Sequence, residues 1–125
     1  MIATVDLRIG NWITVSEVTY RVTALSETKV HFKGHKAGVS QEEIHPIPIT
    51  QEILEQAGFK KKAKTDLFDK FPNEGFTYHL YSHKVMIFHG PHNTLCHWLS
   101  TQIDFLHQLQ NLYYCLTGRE LSISF

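Results

Sequence analysis

The stretch from Asp104 to Gly118 constrains this chain more than any other. Phe105, Leu106, Leu109, Leu112, Tyr113 and Leu116 fall at spacings of three and four, which makes one apolar stripe on an α-helix. Thr117-Gly118 supplies the stop, because glycine accepts the left-handed conformation that closes a helix. The opposite face is unusual. Between Asp104 and Arg119 there is no charged residue, and the wet side offers His107, Gln108, Gln110, Asn111 and Tyr114. A solvated face ordinarily carries Lys and Glu. Amides without charges predict a second, partly buried contact, either with the chain's own sheet or with another molecule.

The first 49 residues read as short strands. In Val18-Thr19-Tyr20-Arg21-Val22-Thr23-Ala24 the apolar residues alternate with polar ones, the period of a strand with one wet face. Lys29–Lys33 repeats the pattern, with Val30 and Phe32 inward. Gly10-Asn11 breaks the chain before Trp12-Ile13-Thr14-Val15, and Gly34 with Gly38 brackets a further turn. Ile44-His45-Pro46-Ile47-Pro48-Ile49 holds prolines two apart, so it is an edge or an extended connector. So many short strands in so few residues predict a small, strongly bent sheet or barrel of the SH3-like kind.

A short helix should follow. Thr50 can cap it, Gln51 and Glu52 fill its first turn, Ile49 and Leu54 have staple spacing, and Gly58 ends it. The middle of the chain returns to strands. Phe76–Tyr81 and Val85–His89 flank Ser82-His83-Lys84 as a hairpin, and Thr94–Leu99 adds a third strand. Leu121–Phe125 alternates as a short terminal strand. The expected fold is α+β: an N-terminal SH3-like unit over 1–49, then a short helix and an antiparallel meander packed on the long C-terminal helix over 50–125. The two parts are expected to form a single compact unit over 1–125.

Composition narrows the function classes. At 125 residues, with 42% apolar and 19% charged residues, the chain can bury one core without covalent staples. Twelve basic residues balance twelve acidic ones, so no global field draws nucleic acid or anionic membrane. A neutral chain also lacks electrostatic protection against self-association. No signal-peptide pattern opens the sequence and no apolar run is long enough to span a bilayer, so the expectation is a cytoplasmic protein. Cys96 and Cys115 lie in apolar surroundings and read as reduced, buried thiols.

Three segments, LRIGNW near the start, PIPIT before the short helix, and HQLQNLYYCLTGREL at the end, occur in that order. Together they resemble a family of short, uncharacterised bacterial proteins abundant in Bacteroidetes-type genomes, often in prophage or mobile-element neighbourhoods. The resemblance covers the two ends and the central helix, and no motif of it falls in residues 60–100. It implies a cytoplasmic bacterial protein with a phage-linked accessory role. It carries no activity, cofactor or catalytic residue.

Nine histidines are the chief chemical anomaly. His89, His92 and His97 lie within nine residues and could form a metal site, or serve a small hydrolase. Their spacing matches no zinc-finger or HExxH pattern, and scattered surface histidines explain them as well. His79 with His83, and His31 with His35, straddle strand ends and turns, where their spacing has no special meaning. His92-Asn93 is too crowded for a His-Asn-His nuclease. There is no nucleophile elbow and no phosphate-cradling glycine loop. Lys60, Lys61, Lys62 and Lys64 are the one concentrated charge, read either as a solvated loop or as a phosphate contact beside aromatics on a small sheet.

These readings predict a non-enzymatic protein-interaction module without a cofactor. It would act through His107, Gln108, Gln110, Asn111 and Tyr114 on an unknown protein or on itself as a homodimer. The alternatives are nucleic-acid binding through Lys60–Lys64 and the histidine-based site. No membrane partner is expected.

Overall fold

A computed structural model describes residues 1–70, 75–89, 95–123 and 125, with the side chains of His35, Lys36, Phe88, His89, Leu95 and Cys96 outside that description. The chain is α+β. It has two open antiparallel sheets, one main helix and one short helix, and neither sheet closes into a barrel among the described residues. Backbone contacts divide it into two units: residues 1–48 with 105–120 and 125, and residues 49–104 with 121–124.

In the first unit, β1 (Trp12–Val15), β2 (Val18–Leu25), β3 (Lys29–Phe32) and β4 (His35–Ser40) pair in sequence order. The sheet bends where the register shifts, between Val22 and Ala24 and between Val30 and Phe32, as extra residues in a ladder require. Ile13, Val22, Val30 and Phe32 turn inward to a core that also takes Ile2, Leu7 and Ile44, with Tyr20 stacked on Phe32. β4 occupies the segment that its glycines marked as a turn. His45 exchanges backbone hydrogen bonds with Thr14, so the proline-rich segment is an extended connector touching a strand edge.

The main helix, α2 (Leu106–Thr117), belongs to this unit. Gly118 ends it at φ 71°, donating its N–H to Tyr114 O at 2.8 Å. The sequence reading set this helix on the later meander; the structure gives it neighbours on β1. Leu106 and Leu109 are fully buried, each worth about 1.5–3 kcal/mol of transfer from water. Leu116, expected in the apolar stripe, lies 47% exposed at the helix end.

In the second unit, α1 (Gln51–Gln56) starts at Thr50, whose Oγ1 accepts from Ile53 N–H. It precedes β5 (Phe59–Lys61), β6 (Leu67–Lys70), β7 (Phe76–His79), β8 (Lys84–His89) and β9 (Leu95–Trp98), paired in that order. Phe59, Phe68, Phe76, Tyr78 and Val85 are buried, with Phe59 and Phe76 edge to face. The lysine run, expected in a loop, builds β5 and the turn after it. Leu121 to Ile123 form no strand, because the buried Leu121 is held without ladder pairing among the described residues. Cys115, expected buried, is exposed and free, since it falls outside the helix face that packs.

Candidate functional site

The amide-rich face of α2 is occupied by the chain itself. Gln110 is 1% exposed; its Oε1 accepts from Trp12 N–H at 2.9 Å and its Nε2 donates to Gly10 O at 3.0 Å. Asn111 Oδ1 accepts from Asn11 Nδ2 at 2.8 Å and from Arg8 Nε at 3.2 Å, while its Nδ2 donates to Asp6 O. Two of the resembling segments, LRIGNW and HQLQNLYYCLTGREL, therefore meet in space. The irregular backbone at residues 8–12 has donors and acceptors that no strand partner satisfies, and buried polar groups must be paired. Gly10, at φ 100°, makes the kink, and amide side chains supply both a donor and an acceptor where a charge would supply one.

The other members of the predicted interaction face have separate fates. Gln108 Oε1 accepts from Phe105 N–H and closes the first turn of α2. Tyr114 is exposed but lies under the Arg8 guanidinium, 4.3 Å from its ring centroid. Arg8 also pairs with Glu120, whose carboxyl is held below the usual range chiefly by that hydrogen bond. His107 is buried, its Nδ1 has no hydrogen-bond partner, and burial lowers its pKa while Asp6 opposes the shift.

Of the predicted metal ligands, His92 and the side chain of His89 lie outside the described residues, and His97 is exposed on β9. Among the described residues no group of three His, Cys, Asp or Glu is placed to hold a metal ion. Among the described residues no helix is long and apolar enough to cross a membrane.

The lysines stand on a hairpin. Lys60 and Lys61 lie in β5, and Lys62 N–H donates to Leu67 O where the turn to β6 begins. Lys60, Lys61, Lys62 and Lys64 are all exposed. Cross-strand register then carries one row over the whole sheet: Lys60 opposite Asp69, Asp69 opposite Thr77, Thr77 opposite Met86, and Met86 opposite Trp98. Directly paired residues project from the same face of a sheet. Two residues along, Leu67, His79 and Lys84 form a second row on that face. The aromatic core projects from the other side.

At the β7–β8 end of this face His79, Ser82, Lys84 and Trp98 line a cleft of about 320 Å³. Trp98 is 48% exposed, and its ring meets His79 edge to face at 6.0 Å. His79 Nδ1 lies 2.5 Å from Ser82 Oγ and also accepts the Ser82 backbone N–H at 3.3 Å. A nucleophile and base would stand at such a distance, but the double acceptance makes this a turn lock, and no carboxylate orients the ring among the described hydrogen bonds. The turn is held from behind. Tyr78 donates its hydroxyl to Ile103 O at 2.6 Å and accepts from His83 Nδ1, while Gln102 Nε2 donates to Ser82 O. Burial first, and then the Asp104 carboxylate, raise the Tyr78 phenol above its ordinary pKa, so it stays a donor.

Sequence reasoning found the lysines and missed the cleft. The signal was present in the alternation of β7 and β8, which sets His79, Lys84 and Met86 opposite the buried Phe76, Tyr78 and Val85, with Thr77 on the same side as His79 but itself buried against Asp69. No protein-family model, curated protein or solved structure matches the chain.

Proposed function

We propose that the chain is a small non-enzymatic binding module that takes single-stranded nucleic acid on the outward face of the β5–β9 sheet. The observation that carries this reading is the register row running from Lys60 to Trp98. It puts Lys60, next to the exposed Lys62 and Lys64 of the following turn, and the exposed Trp98 on one sheet face, about 19 Å apart at four inter-strand spacings. Exposed lysines contact phosphates, and an aromatic ring stacks a base of any sequence. A duplex offers no unstacked base, so single strands are the favoured form. The phage or mobile-element setting implied by the resemblance suits an accessory protein of this kind.

The protein-interaction reading rests on the uncharged face of α2. Gln110 and Asn111 now account for that composition from within the chain. Fluorescence anisotropy with a labelled oligothymidylate tests the proposal. Affinity should fall steeply with salt and fall at least tenfold when Lys60, Lys62 and Lys64 are replaced by Glu. No binding at low salt would remove the reading.

A further inference from the structure

We infer that the cleft of His79, Ser82, Lys84 and Trp98 holds the terminal phosphate of the bound strand, with the adjoining base on Trp98; this rests on the proposed nucleic-acid reading. The cleft, at about 320 Å³, falls in the range of small-ligand sites. Its polar groups are donors. The Ser82 backbone N–H donates to His79 Nδ1, which leaves Nε2 as the ring's donor. Ser82 Oγ lies against the same Nδ1, so its hydroxyl proton is directed to the ring. His79 and Lys84 stand directly across from each other in the ladder and both line the cleft, so the ring Nε2–H and the ammonium are the donors they offer a ligand.

The four lining residues include no carboxylate. Two donors, one of them a full cation, select an anion with several acceptor oxygens. A phosphodiester within a strand carries one charge, whereas a terminal phosphate monoester carries about 1.5–2 at neutral pH. The monoester therefore gains more from this pair. Trp98 beside the donors favours a phosphate joined to a flat base over a bare ion.

The experiment compares oligothymidylates bearing a 5′-phosphate, a 3′-phosphate or neither, with inorganic phosphate and thymidine monophosphate as competitors. One phosphorylated end should bind at least fivefold tighter than the unphosphorylated strand. Lys84→Gln and His79→Gln, checked for folding by circular dichroism, should each bring that ratio below two. Equal affinity for all three strands would overturn the inference and leave the nucleic-acid reading standing. Thymidine monophosphate competing as well as the phosphorylated strand would overturn it in favour of a free nucleotide. Binding of no strand at all would remove both.

Discussion

Trp12 gives its backbone N–H to Gln110 Oε1 at 2.9 Å, across nearly a hundred residues of sequence. With the Gln110 Nε2 bond to Gly10 O, this fixes the helix to the kinked entry of β1 through one fully buried amide. Gln110→Ala leaves the Trp12 N–H unpaired, leaves Gly10 O with only the 3.4 Å bond from Arg21 Nε, and opens a void. Stability should fall by about 2–4 kcal/mol in urea denaturation. A loss below ~0.5 kcal/mol would show that Gln110 does not hold the two segments together.

Neighbouring Asn111 answers three groups, Arg8 Nε, Asn11 Nδ2 and Asp6 O. Asn111→Arg should destabilise the fold, because a cation would replace the acceptor facing Arg8 and Asn11. An interaction face open to solvent would tolerate that change without loss of melting temperature.

His107 makes stability depend on pH. Burial lowers its pKa from 6.5, so the folded state releases a proton that the unfolded chain still binds. Its contribution is complete above pH 6.5 and drains away as pH falls towards the lower folded value. His107→Leu removes the unpartnered Nδ1 and this titration together. The variant should match or exceed the parent at pH 7.5 and gain on it between pH 6.5 and 5. Parallel stability profiles over that interval would contradict the assignment.

Much of the fold was legible, and the failures have physical causes. β1, β2 and β3 declared themselves by period, and α1 and α2 by caps and glycine stops. β4 was hidden by Gly34 and Gly38, which read as turn residues. β5 was hidden by consecutive lysines that satisfy a ladder with their backbones while their side chains stay wet. The amide face of α2 was recognised as anomalous, but only the structure shows Gly10 and Trp12 as its partners, because contacts so distant in sequence leave no local pattern. His79 and Ser82 drew no notice as a pair, since a turn lock depends on backbone direction rather than spacing.

Cys115 offers a simple check of the helix orientation. It is exposed and free, so it should react with a thiol reagent in the native protein within minutes, and Cys115→Ser should abolish that fast phase. No fast phase in a Cys96→Ser protein, whose one thiol is Cys115, would place α2 differently.

The proposed function turns most directly on Trp98. In a Trp12→Phe protein it is the sole tryptophan, and its intrinsic fluorescence reports the cleft alone. Titration with unlabelled oligothymidylate at low salt should quench and saturate that signal, with the quenching reversed by added salt. Unchanged emission at strand concentrations that saturate anisotropy would contradict base stacking on Trp98 and, with it, the assignment of this sheet face.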